Sequence, residues 1–463
     1  MSDRQPSADV SSPETVAGQR VSVFHDRSFH GLAVSQFLGA FNDNLFKQLV
    51  LLLCVGRAAQ PVAAGSETVD LQPVAMAVFA VPWLLFSGFA GVLSDRASKR
   101  SGVVLFKAIE ILVMASGLLA FLSGELWALM LVLFFMSAQS TFFGPAKYGI
   151  LPELFRERDL PTVNGVFQMT TFVAIIFGMA VAGYARDWLP GQEGLAWTSC
   201  GAILVAVLGT LAALPIRRTS PAQSELRFSW QAMGIDPENW RLLKTDQFIR
   251  GVLLVSALFW FSGAVVQQAV NSFGKRELEL SDTRTSLLAA SLGIGIAIGC
   301  VLGGQLSKNR VRFGLVRFGA WGLVGSLAAL VLASQLRAGG VALLNTATPI
   351  GNAILNASPI EWLSRLALAG VGGFGGILIV PLQVCLQSAP PVSQKGRMIA
   401  TMNFANWVGI LLSALFYFLV DSARRDIGNA MNIGLPPAMM FGALAVVLIP
   451  VAVLYRPADR ELT

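Results

Sequence analysis

Apolar runs long enough to cross a bilayer recur along this chain, and no other feature limits its fold as much. A spanning helix needs about 20 predominantly apolar residues. Such blocks lie near 30–55, 71–94, 101–123, 126–146, 160–185 and 194–216, then near 248–274, 285–307, 313–336, 366–389, 397–420 and 432–455. Most carry no charge in their centres. Hydrocarbon offers backbone N–H and C=O groups no water, so each block must close its hydrogen bonds within itself, as an α-helix. Composition agrees: 54% of residues are hydrophobic and 13% charged, against roughly 25% charged in soluble domains. The fold class that follows is an all-α membrane protein of twelve transmembrane helices.

A further uncharged stretch, 338–360, competes for a thirteenth crossing. It is rich in Asn, Thr, Pro and Gly. Charge asymmetry decides against it: with twelve spans and both termini cytoplasmic, Lys and Arg concentrate in the cytoplasmic segments. A crossing there would move Lys395 and Arg397 outside. The stretch therefore reads as an outer loop with a re-entrant or interfacial piece. Residues 1–28 form a polar tail without the pattern of a cleaved signal, so the first block is expected to stay as an anchor. The net charge of +7 belongs to residues flanking the spans, and no nucleic-acid partner follows from it.

Two sets of six spans resemble each other. Gly91-Val-Leu-Ser follows span 2 and Gly304-Gln-Leu-Ser follows span 8, each before a basic loop. Span 5 reads VNGVFQMTTF from Val163, and span 11 reads MIATMNFANW from Met398. Laid over each other, Gln168 meets Asn403, Thr171 meets Asn406 and Phe172 meets Trp407. The expected organisation is a tail at 1–28, a first half at 29–216, a cytoplasmic linker at 217–247, a second half at 248–456 and a tail at 457–463. Parallel six-helix repeats are the plan of the major facilitator fold, which places its substrate between the halves near mid-membrane.

Charges inside such spans are costly, roughly 2.5–3.5 kcal/mol each at the helix centre, so they mark function or pairing. Span 1 holds Asn42, Asp43, Asn44 and Lys47. Asp43 and Lys47 are four residues apart, share a face and can pair. They read as substrate contacts, as a protonation switch or as a structural pair. Lys107 and Glu110 in span 3 read first as a structural pair and second as a proton-linked one. Lys147 ends span 4 beside Pro145, which removes a backbone donor. As a point charge it suits a phosphate; simple snorkelling to the interface is the other reading. Gln168, Gln267, Gln268, Gln383, Asn403 and Asn406 are uncharged polar residues for a cavity wall or for bonds between helices.

Between spans 2 and 3 stands Gly91-Val-Leu-Ser-Asp95-Arg96-Ala-Ser-Lys99-Arg100. It resembles the major facilitator loop Gly-x-Leu-x-Asp-Arg-x-Gly-Arg-Lys, with Ser98 in place of the second glycine. Gly91, Asp95, Arg96 and Arg100 are its candidate gating residues, Gly91 for a tight helix exit and Asp95 for a neighbouring helix N-terminus.

Three further motifs together resemble the bacterial lysophospholipid transporter family: Ser35-Gln-Phe-Leu-Gly-Ala-Phe-Asn-Asp43-Asn44, Gly144-Pro-Ala-Lys147-Tyr-Gly-Ile-Leu-Pro-Glu153 and Asn164-Gly165. Phe259-Trp260, Val380-Pro-Leu-Gln383 and Gly396-Arg-Met-Ile-Ala-Thr-Met-Asn403 agree with it. The resemblance implies transport of lysophosphatidylethanolamine-like lipids from the outer to the inner leaflet of the bacterial inner membrane, without ATP. It implies reacylation by an acyltransferase–acyl carrier protein synthetase. It places Asp43, Asn44 and Lys147 in the family's polar motifs; Gln267 stands where some members have a basic residue. No His-x4-Asp motif is present, so the acyltransferase is expected on another polypeptide.

The pattern excludes several classes. Four scattered cysteines and two histidines, His25 and His30, give no metal or redox spacing. No Walker loop or nucleophile elbow occurs. The expectation is a monomeric transporter with no metal or cofactor, and no enzyme. A proton-coupled exporter of drugs or metabolites, with Asp43 or Glu110 as carrier, is the alternative.

Overall fold

The computed structural model describes residues 25–56, 70–155, 159–219, 237–306, 310–338, 353–354, 356–388, 395–457 and 460–461. Most of the polar tail, of the expected linker and of 338–360 lies outside the described residues, as does the side chain of Gln168. Among the described residues twelve long helices follow in order: α1 (Arg27–Gly56), α2 (Gln72–Arg96), α3 (Lys99–Ser123), α4 (Leu126–Gly149), α5 (Leu160–Trp188), α6 (Gly191–Ala213), α7 (Gln247–Ser272), α8 (Asp282–Leu306), α9 (Phe313–Ala338), α10 (Pro359–Ser388), α11 (Lys395–Met431) and α12 (Met439–Leu454), with short helices at Leu151–Leu154 and, in the expected linker, Pro237–Thr245. Eleven are long and apolar enough to cross a membrane; α12, with 16 residues, is shorter. Mid-helix Leu112, Leu119, Leu204 and Val446 are each more than half exposed, which suits a surface whose solvent is lipid.

Local chemistry explains most of the ends. Gly124, at φ 71°, ends α3 in the left-handed conformation that glycine adopts without strain. Asp246 caps α7, its Oδ1 accepting from the backbone N–H of Phe248 and Ile249. Pro82, Pro145, Pro381 and Pro450 sit inside α2, α4, α10 and α12; in α4 the helix runs on past Pro145 to Gly149. Three boundaries differ from the sequence expectation. α10 starts at Pro359 rather than near 366, because Glu361 and Arg365 are neutralised by each other and by Arg284. α11 runs to Met431, its charged last turns tied by Arg424 and Arg425 to Asp421. α12 then begins at Met439, after Asn432 at φ 53° and the helix-breaking Gly434-Leu-Pro436-Pro437.

The chain ends share one face of the bundle. Arg217, after α6, pairs with Asp26 before α1 at 2.7 Å. Arg310–Val311, after α8, pairs antiparallel with Arg460–Glu461. On the opposite face Arg284, in the first turn of α8, meets Glu361, in the first turn of α10, at 2.7 Å. α9 therefore carries the chain to that opposite face and α10 carries it back. α9 ends and α10 begins on the same face, in line with twelve spans.

Packing repeats across the two sets. α1 packs on α5, α2 on α4 and α3 on α6; α7 packs on α11, α8 on α10 and α9 on α12. One apolar core gathers residues from Leu243 to Ala452 together with Met179 of α5. Two others gather residues mostly between Phe29 and Ile216. Small residues let α8 and α10 touch backbone to backbone, as expected of their glycines: a Cβ at Gly299 would lie 2.0 Å from the Gly373 carbonyl oxygen. The sets meet where α5 faces α8 and where α2 faces α11.

Candidate functional site

A mid-bundle cavity of about 140 Å³ is lined wholly by α1–α5. α1 presents Gln36, Gly39, Ala40, Asp43, Asn44 and Lys47, one helical stripe of three- and four-residue steps. α4 adds Gln139, Ser140, Phe143 and Lys147, α3 adds Glu110, and α5 adds Thr171 and Ile175. Phe79 and Trp83 of α2 complete the wall.

The charges do not combine as their spacing suggests. Asp43 does not pair with Lys47. The Ser140 hydroxyl donates to Asp43 Oδ2 at 2.6 Å, and Lys47 Nζ lies over the Phe79 ring at 5.0 Å. The reason is direction: Ser140 approaches from α4 on the side where Asp43 points, while Lys47 reaches the aromatic wall of α2. Lys147 Nζ sits over Phe143 at 5.2 Å and Tyr148 at 5.1 Å. A ring face offsets part of an ammonium's desolvation, worth roughly 0.5–2 kcal/mol. Neither lysine has a described carboxylate at ion-pair distance, so both keep donors for a ligand. Besides Glu110, which is paired with Lys107, the wall thus holds two ammonium groups and one carboxylate, Asp43, with a single hydrogen bond. That arrangement complements a ligand with an acidic oxygen-rich group and a basic group.

Lys107 and Glu110 do pair, fully buried. Asn42 points behind α1, away from the cavity, and donates to Glu110 Oε1 and to the Ala202 carbonyl, both at 3.0 Å. Lys107 fits a slot left by two glycines: a Cβ would lie 3.1 Å from its Nζ at Gly39 and 2.8 Å from its Cε at Gly209. Asn44 spends its amide on the Ala40 carbonyl of its own helix, at 2.8 Å.

The other described candidate amides lie off this wall. Ser256 of α7 donates to Asn406 at 3.2 Å, matching the bond from Gln36 of α1 to Thr171 at 2.8 Å. These are corresponding crossings in the two sets, as the overlay of Thr171 on Asn406 anticipates. Gln267 lies against Met179 sulfur at 4.0 Å. Gln383 is half-buried and Asn403 exposed. In the last turn of α2, Asp95 and Arg96 stand exposed, and Arg100, in the first turn of α3, donates to the Leu214 carbonyl at 3.0 Å. Gly91 lies within α2 and a Cβ there would meet nothing, so no tight exit depends on it. The loop is held instead by the ion pair of Lys99 and Glu153.

Sequence reasoning missed several wall residues. Gln36 is seven residues before Asp43 and so on its face, a signal that was available. Phe79 and Trp83 gave none, since aromatic residues at helical spacing face lipid as readily as a cavity. It also missed charge in the second set, where Arg284, Glu361 and Arg365 are all buried.

At the opposite face a polar latch joins the two sets. Asp70 accepts from Ser272 at 2.5 Å and from Tyr417 at 3.1 Å. Gln72 donates to the Gln268 carbonyl and accepts from Asn271, and Gln48 donates to Asn271 at 2.9 Å. Asp187, closing α5, accepts from the N–H groups of Asp282 and Thr283 at 3.0 and 2.7 Å. It therefore caps α8 from the other set.

The sequence profile described as Major Facilitator Superfamily matches residues 32–414. The lysophospholipid transporter LplT of Photorhabdus laumondii subsp. laumondii is 26% identical over 400 residues, covering 85% of this chain and 88% of that protein. Its counterpart in Yersinia pestis (strain Pestoides F) is 26% identical over 404 residues, covering 85% and 87%. Among solved structures, the partially occluded inward open xylose transporter XylE from E. coli superposes with a TM-score of 0.64 at 13% identity, covering 93% of this chain and 99% of that one. The nucleoside transporter NupG superposes at 0.63 with 12% identity, covering 92% and 98%. Twelve helices in two matching sets, a charged mid-bundle cavity and a profile match over most of the chain lead to one placement: the chain belongs to the Major Facilitator Superfamily, as a multi-pass membrane transporter.

Proposed function

We propose that this transporter moves lysophospholipids between the leaflets of the bacterial inner membrane by alternating access. The observation that carries the reading is the cavity wall on which Lys47 and Lys147 stand without carboxylate partners while Asp43 keeps a free oxygen. A phosphate has several acceptor oxygens for two ammonium groups, and an ethanolamine ammonium suits Asp43. Charge-assisted bonds of this kind are the strong ones. Relatives that share 26% of their residues are named lysophospholipid transporters, which supports the same substrate class here. Both termini are taken as cytoplasmic, the chain as a monomer and the two six-helix sets as the rocking halves. The latch of Asp70, Ser272, Tyr417 and Asp187 then closes the outer side. Delivered lysolipid is reacylated by a separate acyltransferase–acyl carrier protein synthetase.

The test is leaflet transfer of labelled lysophosphatidylethanolamine in proteoliposomes, with and without a proton gradient. Protein-dependent transfer that survives collapse of the gradient is expected. No transfer above protein-free vesicles sinks the reading. Transfer that stops with the gradient favours the second reading, a proton-coupled exporter; Asp43, a cavity carboxylate with one hydrogen bond, would then be its carrier.

A further inference from the structure

A headgroup held in the α1–α5 cavity leaves its acyl chain to follow one of two seams between the sets, α5 against α8 or α2 against α11. The cavity touches both flanks, at Ile175 of α5 and at Phe79 and Trp83 of α2. The seams are built differently.

The α5–α8 seam is tight, glycine against backbone at the latched face and glycine against side chain nearer the cavity. A Cβ at Gly183 would lie 2.3 Å from the Asp282 carbonyl oxygen, and one at Gly293 would lie 3.0 Å from Ile176 Cγ1. The Asp187 bonds to the first turn of α8 fix it further. Such a seam parts only when whole helices move.

The α2–α11 seam is closed at cavity level by rings. Trp83 stacks on Trp407 with centroids 4.5 Å apart and planes 10° apart, and Phe79 lies 6.0 Å from Trp407. The Trp83 Nε1 is buried with no hydrogen-bond partner, so no polar bond pins the stack. Toward the face that carries the termini, cover on α11 ends: Asn403 and Ile399 are exposed. Side chains move by rotation about single bonds, far faster than helices move as bodies.

We propose that the acyl chain of the substrate leaves the cavity between α2 and α11, with the Trp83–Trp407 stack as the lip it passes over. This rests on the lysophospholipid reading and adds the route of the chain. The aromatic faces give the chain dispersion contacts. The free indole N–H of Trp83 meets the lipid where headgroup oxygens join the chain.

The experiment uses the full chain in lipid nanodiscs with lysophosphatidylethanolamine carrying a mid-chain diazirine. After irradiation, adducts are mapped by mass spectrometry. Adducts on α2 around 79–90 and α11 around 399–410, reduced by excess unlabelled lysophosphatidylethanolamine, are the expected result. Competed adducts on α5 around 171–183 and α8 around 286–296 overturn the route and leave the lysolipid reading standing. Labelling that the unlabelled lipid does not reduce overturns both. Trp407→Ala removes one ring of the lip and is expected to raise competed labelling of α2 roughly twofold; an unchanged yield counts against the lip.

Discussion

Asp43 faces the cavity with one hydrogen bond, from Ser140, so its charge is available to a ligand rather than consumed by the fold. Asp43→Asn keeps the shape and removes the charge. A hydrogen bond to a charged group contributes about 1.5–3 kcal/mol, or roughly ten- to a hundredfold in rate or affinity. Transfer of lysophosphatidylethanolamine should fall by about that factor, and transfer of a lysolipid without an amine should fall much less. Equal losses for both headgroups would remove Asp43 from amine recognition. Lys107 gives the contrasting case. It is fully buried against Glu110, and Lys107→Met strands that carboxylate, at a cost of about 3–5 kcal/mol. Thermal unfolding in detergent should show the single variant well below the parent, with the Lys107→Met/Glu110→Gln pair recovering part of the loss. A double variant no better than the single would show that the pair is not coupled.

Among helices, charge was legible in the sequence where it interrupts an apolar run, and geometry was not. Asp43, Lys47 and Lys147 stand out because hydrocarbon penalises each one, and all three do line the cavity. Their partners were not legible. Spacing says that Asp43 and Lys47 share a face; it says nothing of Ser140 arriving from α4 or Phe79 from α2, which are set by how three helices cross. Helix ends followed the same rule. The sequence places the start of α10 late because Glu361 and Arg365 look prohibitive until Arg284 stands beside them. The glycines of α8 and α10 were legible as a packing face, and the structure gives that face a test. A side chain at Gly299 would collide with the backbone of Gly373, since a Cβ alone comes within 2.0 Å of its carbonyl oxygen. Gly299→Leu should therefore lower the yield of folded protein severely. Gly304→Leu, where a Cβ meets nothing, should leave yield and melting temperature near the parent values. Similar melting curves for the two variants would refute the close contact.

The whole molecule is two helix sets whose described polar joints gather at one face. Asp70, Gln72 and Gln48 reach across to Ser272, Tyr417 and Asn271, and Asp187 caps a helix of the other set. None of these bonds belongs to the interior of either set, so all can break together when that face opens, while each set stays intact. The sequence carried the repeat but not the latch, because Asp187 and Asp282 are distant in the chain and each reads as a loop residue. An equilibrium between two closures is moved by whatever stabilises one of them only. Removing the cap strips two charge-assisted bonds from the state seen here, about 3 kcal/mol if each contributes near the lower end for a charged group. A shift of that size moves a two-state population more than a hundredfold. Spin labels at Glu193→Cys and Asn429→Cys, both exposed and on the latched face, would report it in a Cys200→Ser background by electron–electron distance measurement. Asp187→Ala should add a longer distance component, and Tyr417→Phe, which removes one bond to Asp70, a smaller one. If Asp187→Ala leaves the distance distribution unchanged, the latch does not hold that face closed, and the closure must come from the apolar packing of Ile410 and Ala414 beneath it.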